Sequence, residues 1–544
     1  MSALISSYLF DRGSTVCHDG AFYKNRGLLS THRSIAKSAG IIASLTGVSR
    51  VLGFVRDLVI AHAFGTTMAA EAFVVSFKIP NLLRDLVGEG AMNAAIVPVL
   101  TECREKRTAD FWKLVSTLFF VMALVLAVFS LAGIFFAPKI ISWIAPGFTH
   151  SVDVEKFPLA VRLTRIISPY IFLIGLSALA MGVLNSLQEF TSSALGPIFL
   201  NLCMIVAGYF FEKSYGPMAL VIGVLLGGAL QLGCQLPLLF KKGFRFCRPN
   251  FKDSSFLKIG RLLVPRALGS GLYQLNVFVD SILASFEKIV GLGGQSALYY
   301  SNRLFQLPLA IFGVALAQAL LPAFSTQVVR EDMSAFKEIF SNALRTLVWI
   351  VLPAAVGLII LSEPIVRILF QRGRFDAYST HITSSALFFY GFGLLSCCFI
   401  KILVNAFYSL HDTKTPVKCM AFSVLLNIPL SLILMQPLKI AGLTLASSVT
   451  ATVNAAQLYY LLRKKIGSLH GEKLIKSFLK IILVSMATGV VAAGYNHFMI
   501  MPAIQQPHKI QILHLFSAIG LSILVYLGLS FAIGIEEAKK LFIR

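Results

Sequence analysis

Polar residues in this chain come in short bursts, separated by long apolar stretches that show no strict alternation. After a polar, basic opening (residues 1–38, with Arg12, Lys24, Arg26, Arg33 and Lys37), apolar segments run at 39–64, 71–101, 111–137, 157–187, 193–212, 216–240, 259–286, 295–329, 336–370, 377–410, 416–436, 440–462, 476–496 and 511–534. Each reaches or passes the roughly 20 residues a helix needs to cross a hydrocarbon core of about 30 Å. A membrane β-barrel would instead show alternating stretches of about ten residues. The pattern therefore predicts an all-α polytopic membrane protein of about fourteen transmembrane helices, segments 1 to 14 in chain order. Pro80, Pro308 and Pro353 predict kinks or tilt in the longest of them. The opening has no apolar run of signal-peptide length and reads as a cytoplasmic basic tail.

The loops give an orientation. With the N-terminus inside, the inside loops and tails hold roughly 28 Lys and Arg against about 8 outside, a strong positive-inside bias. Both termini are then cytoplasmic. The chain also repeats itself. Ala72-Phe-Val-Val-Ser76-Phe-Lys78 resembles Ala297-Leu-Tyr-Tyr-Ser301-Asn-Arg303, and Ala95-Ile-Val-Pro98 resembles Ala319-Leu-Leu-Pro322. Asp57 with Ala61 matches Asp280 with Ala284, and Ser186-Leu-Gln-Glu189 matches Ser409-Leu-His-Asp412. The near-constant offset predicts two parallel-repeat six-helix lobes, 39–240 and 259–463, joined by a basic loop at 241–258. A last pair of helices lies within 464–544. Transporters so built bind their cargo between the lobes and rock them to alternate access.

Composition sharpens this reading. The 544 residues are 56% hydrophobic and 13% charged, with mean hydropathy +0.78, outside the range of soluble domains. A net charge of +23 invites thoughts of nucleic acid, but the cations sit in short loops between apolar runs, where a membrane surface explains them better. Eight scattered cysteines and ten histidines show no metal-ligand spacing, and no Walker, G-x-S-x-G or dinucleotide-binding sequence occurs. No catalytic residues, cofactor or firm metal site are expected, and the chain reads as a non-enzyme.

Charged residues inside an apolar segment are costly and mark function by default. Segment 1 carries Arg50, Arg56 and Asp57; segment 2 carries Glu71, Lys78, Arg84, Asp85 and Glu89; segment 7 has Asp280; segment 8 has Arg303, with Gln306 a turn later. On an ideal helix Asp57 lies about 20° from Arg50, whereas Arg56 points about 120° away. A solvated cavity is the favoured reading for these groups and a packed ion network the alternative, since burying two guanidinium groups is expensive. The central segments are cationic on balance, and Arg forks suit bidentate contact with phosphate. Segment chemistry thus points to a carrier of an anionic amphiphile, which an inside-negative potential would drive outward. Without an anion, the arginines are expected to repel one another and hold the cavity open.

Residues Ser49-Arg-Val-Leu-Gly-Phe-Val-Arg-Asp57, Phe73 to Arg84 ending Phe-Lys-Ile-Pro-Asn-Leu-Leu-Arg, Tyr299-Tyr-Ser-Asn-Arg303 and His411-Asp-Thr-Lys-Thr-Pro-Val-Lys418 resemble the MurJ/MviN lipid II flippases. These belong to the multidrug/oligosaccharidyl-lipid/polysaccharide exporter superfamily. The resemblance runs from about residue 36 to the end, and leaves residues 1–35 unmatched. It implies translocation of lipid II, the undecaprenyl-diphosphate-linked muropeptide, across the bacterial inner membrane for cell wall synthesis, by a monomer and with no nucleic acid. It further implies that Arg50, Arg56 and Arg303 hold the diphosphate, with Asp57 beside them and Arg84 at another functional position. Among the segment 2 charges, Glu71 and Lys78 either line or gate the cavity or form a structural pair, and Arg84 lies either at the cavity or at the cytoplasmic end. Asn302 and Gln306 replace acids expected beside the segment 8 arginine. Some members bind sodium in the second lobe, where Asp280, Asn405 and Asp412 are the candidates here. Sodium, protons or the membrane potential alone remain open as the energy source. The nearest rival is a polysaccharide-lipid flippase or multidrug/cation antiporter of the same superfamily, and a drug antiporter would want an acidic, aromatic cavity. A polyprenyl-phosphate transferase would want a D-D-x-x-D type motif, which is missing, and a scaffold would not want arginines at midplane.

Overall fold

Apolar runs this long must satisfy their backbone polar groups internally, so they coil into helices. The computed structural model describes residues 25–84, 92–189, 191–467 and 471–542, and no strand occurs among them. Nine helices among the described residues are long and apolar enough to cross a membrane, from Asp110–Phe135 to His508–Ala532. They cover segments 3, 4, 6, 8, 9, 10, 11, 13 and 14. Segments 1, 2, 5, 7 and 12 are helical too, within Asn25–Phe64, Met68–Leu83 with Met92–Lys106, Thr191–Phe210, Ser254–Ala284 and Ile440–Ile466.

The boundaries differ in places from the sequence reading. The described part of the segment 1 helix runs Asn25–Phe64, so the last part of the expected tail is helical. Within segment 2, Met68–Leu83 and Met92–Lys106 are helical, and Asp85 and Glu89 lie outside the described residues. Segment 9 is Met333–Ile360 followed by a separate short helix, Ser362–Phe370. In segment 8, Gly294–Pro308 passes through a π turn at Leu309–Val314 into Ala315–Val329. Pro308 has no N–H to donate, and the ladder slips there.

Helices up to Lys241 pack chiefly on one another, and so do those from Ser254 to Ile466. Between the two halves, Met68–Leu83 meets Gly294–Pro308 and Met92–Lys106 meets Ser254–Ala284. The connection after Lys241 runs along Thr108–Phe135, where the Ser116 hydroxyl bonds the Cys247 backbone and the Asn250 N–H donates to Thr117 Oγ1 at 2.9 Å. At the chain's end, Gly471–Tyr495 packs on Met333–Ile360 and on His508–Ala532. The Tyr526 hydroxyl donates to the Trp349 carbonyl at 2.6 Å, and Arg345 pairs with Glu536 and Glu537.

The internal repeat reappears in detail. Thr108–Phe135 and Ala137–Ile144 return 225 residues later as Met333–Ile360 and Ser362–Phe370. Gln188 and His411, 223 residues apart, both take left-handed backbone angles (φ 63° and 57°). The residue after each forms an ion pair with the end of a later helix, Glu189 with Lys242 at 2.6 Å and Asp412 with Lys465 at 2.8 Å.

The end of the bundle where Phe64 lies is closed by contacts between the halves. Arg374 N–H donates to the His62 carbonyl at 3.0 Å, and the Thr66 and Ser379 hydroxyls are 2.7 Å apart. Gly147 N–H donates to Ser285 Oγ at 2.9 Å. A Cβ at Gly147 would stand 2.0 Å from the Ser285 carbonyl oxygen, so only glycine permits this approach.

Candidate functional site

Segment 1 places its charges at the junction of the halves. Arg56 and Asp57 are buried, at 7% and 2% exposure. The Arg56 side chain wraps onto its neighbour, with Nε and Nη2 donating to Asp57 Oδ1 at 3.0 and 2.8 Å. Its Nη1 donates to Asn201 Oδ1 at 3.0 Å, and Asn201 Nδ2 in turn donates to the Ser49 carbonyl. From the second half, the Tyr299 hydroxyl donates to Asp57 Oδ1 at 2.7 Å and lies 3.3 Å from Arg56 Nη2. Arg303 Nε stands 3.4 Å from Asp57 Oδ2, with its guanidinium 5.0 Å from the centre of the Tyr299 ring. One carboxylate therefore ties two arginines from different halves, with a tyrosine beneath.

This arrangement corrects the sequence reading in two respects. Although Arg56 points away from Asp57 on an ideal helix, its long flexible side chain reaches round to the adjacent carboxylate, which also meets Arg303 of the second half. Arg56 and Asp57 form a packed ion network, and Arg303, with a third of its side chain exposed, marks its open edge. Arg50 is exposed. Nor do the arginines confront each other uncompensated, since Asp57 lies between them. Tyr299 and Asn201 were not picked out as site residues. Tyr299 stands one turn before Arg303, and that spacing was the available signal; nothing in the sequence marked Asn201.

The remaining candidates fall in separate places. Glu71 lies at the closed end, buried with Lys156, which also pairs with Glu287 of the second half. Gln295 N–H, Ser151 Oγ and Val152 N–H supply hydrogen bonds to the two carboxylates. Lys156 and Glu287 carried no sequence signal, since both fall in what reads as loop. Arg84 caps the end of Met68–Leu83. Lys78 is half-buried and within electrostatic reach of Asp280. Asp280 accepts from Asn427 Nδ2 at 3.1 Å and Ser447 Oγ at 3.2 Å, and Asn427 Nδ2 also donates to Asn276 Oδ1. Asn405 and Asp412 do not join it. Asn405 donates to the Ala317 carbonyl, and Asp412 is held by Lys465 and Thr415 at the opposite end from Phe64. Among the described residues no group of three or more His, Cys, Asp or Glu is placed to hold a metal; at Asp280 the Asn427 amide N–H and the Ser447 hydroxyl donate to the two carboxylate oxygens.

Residues 60–531 match the family model for the lipid II flippase MurJ. The chain belongs to the MurJ family. A MurJ relative from Burkholderia cenocepacia, named lipid II flippase MurJ, is 37% identical over 434 residues, covering 78% of this chain and 83% of its own. A solved MurJ structure, described as a lipid II flippase in an inward closed conformation, aligns with a TM-score of 0.75 at 27% identity over 90% of this chain and 98% of that one. An inward-facing multidrug transporter of the wider superfamily shares the fold, with a TM-score of 0.66 at 13% identity over 80% of this chain and 99% of that one. MurJ membership makes this a multi-pass protein of the bacterial inner membrane and a member of a transporter family.

Proposed function

We propose that this chain moves lipid II from the cytoplasmic to the outer leaflet by alternating access, as its relatives' names describe. The observation that carries this reading is the convergence of Arg56 and Arg303, one from each half, on the two oxygens of one carboxylate. A diphosphate brought there would join the halves through charge-assisted bonds, and planar Arg forks suit its geometry. The isoprenoid tail would lie along apolar helix faces. With the N-terminus inside, as the basic loops favour, the Phe64 end faces outward, and its contacts close the outer side while cargo loads from within. The protein acts as a monomer in this scheme.

For coupling, the Asp280 cluster is the candidate ion site, with sodium or a proton as the ion, and the inside-negative potential as the alternative drive. A drug–cation antiporter is disfavoured by paired arginines where a cationic drug would have to sit.

The test is rescue of bacteria depleted of their own lipid II flippase, read as lipid II accessible at the outer face. Restored accessibility supports the proposal; membrane-inserted, abundant protein that leaves lipid II inside overturns it.

A further inference from the structure

Asp57 uses both of its oxygens on groups that the diphosphate would need. Oδ1 takes the two Arg56 bonds and the Tyr299 hydroxyl, while Oδ2 faces Arg303. A carboxylate and a diphosphate cannot share these donors without like-charge repulsion in a buried setting. Cargo must therefore displace Asp57 from at least one arginine.

Tyr299 is placed to govern that exchange. Its hydroxyl, on the second half, reaches across to the carboxylate of the first, and its ring lies against the Arg303 guanidinium. The phenol thus aims Asp57 at the same spot to which its ring directs Arg303. A carrier that moves cargo one way has to reorient again without it. On that return leg two guanidinium groups would meet in a buried site with no anion between them, at a cost that an internal carboxylate removes.

We propose that Asp57 is a built-in stand-in for the cargo diphosphate, and that Tyr299 is the positioning residue that holds it on the arginines during the return leg. This rests on the lipid II reading above and adds a step to it. The stand-in lowers cargo affinity by competition and makes the unloaded return possible. Exchange of one loaded cargo for another needs no unloaded return, so it depends on the stand-in less than net transport does.

The test compares wild type, Asp57→Asn and Tyr299→Phe in proteoliposomes holding labelled lipid II. Net translocation, lipid II exchange across the bilayer and equilibrium binding are measured side by side. Asn keeps the shape and loses the charge; Phe keeps the ring under Arg303 and loses only the hydroxyl. The expected result is a ratio of exchange to net flux that rises about tenfold in Asp57→Asn, the size of effect that loss of one charge-assisted contact produces. Binding should tighten in parallel, and Tyr299→Phe should move both quantities the same way by about threefold. Equal loss of exchange and net flux in both variants, or weaker binding, overturns the proposal, because a purely structural role predicts that. Wild-type protein that neither binds nor exchanges lipid II overturns the translocation reading itself, and this step with it.

Discussion

Glu71 and Gln295, 224 residues apart and both in the first turn of helices related by the internal repeat, meet directly: the Gln295 N–H donates to Glu71 Oε1 at 2.9 Å. A carboxylate of one half thereby caps a helix N-terminus of the other, where unsatisfied N–H groups and the helix dipole both favour negative charge. Lys156 then bridges Glu71 to Glu287, so the closed end depends on ionised groups contributed by both halves.

Removing Glu71 is expected to loosen that end. In Glu71→Ala, Lys156 keeps Glu287 but the Gly294–Pro308 helix loses its cap, worth about 1 kcal/mol, and the buried ion group loses a partner, worth about 3–5 kcal/mol. Cysteines placed at Thr66 and Ser379, whose hydroxyls are 2.7 Å apart, should cross-link readily in an otherwise cysteine-free protein and poorly once Glu71→Ala is added. Equal cross-linking in both would show that Glu71 does not hold the closure.

At the arginines, Lys is expected to be a poor substitute. Arg56 donates through Nε, Nη1 and Nη2 to Asp57, Asn201 and Tyr299, a fan of directions that one ammonium cannot cover. Arg56→Lys should lower translocation at least about tenfold and Arg56→Ala should abolish it, with the protein still inserted. Arg303→Lys, at the more exposed edge, should be the milder change. Transport assays normalised to the amount of inserted protein decide the order.

The energy source separates by collapsing gradients one at a time. If the potential suffices, dissipating it stops outward movement of lipid II, and removing a sodium gradient does not. If sodium drives the cycle, the opposite holds, and Asp280→Asn or Asn427→Ala should make the protein insensitive to sodium, because Asp280 supplies the carboxylate and the Asn427 N–H holds it in place.

The ion pair between Asp412 and Lys465 is expected to stabilise the fold only above acidic pH. Lys465 and the Thr415 hydrogen bonds hold the Asp412 carboxyl down at about 2. A carboxyl depressed in the folded state contributes fully above its ordinary value near about 4, and that contribution fades as pH falls toward the depressed value. With Lys465 partly exposed, the gain is about 1 kcal/mol or less. Denaturant unfolding of Asp412→Asn in detergent should show that deficit near neutral pH, and it should vanish against wild type as pH approaches about 2.

Hydrophobic length alone located the helices, because a bilayer allows few alternatives for an apolar run. It could not place Asn25 in a helix, since a polar, basic stretch carries no apolar run to read. The repeat was visible in Glu189 and Asp412, and the structure gives the matches physical content as paired ion contacts. The site was legible as far as its charges: Arg56, Asp57 and Arg303 do come together. Their partners were not, because Tyr299 and Asn201 are ordinary residues whose role exists only once distant helices pack. Lys156 and Glu287 were hidden for a different reason, since charges in apparent loops carry no insertion penalty to betray them. Asn405 and Asp412 stand apart from Asp280, as polar residues of one lobe need not face one point.

Asp57 and Asp280 occupy matching places in the repeat yet keep different company. The first sits among arginines and a phenol, the second among amides and hydroxyls with a lysine nearby. A tandem duplication that retained both acids but re-clothed each one would leave this pattern. Its two descendants then differ in what surrounds the shared acid: guanidinium groups and a phenol on one side, an amide N–H and a hydroxyl on the other. Symmetry of backbone has thus been kept while the chemistry at the matching positions has diverged.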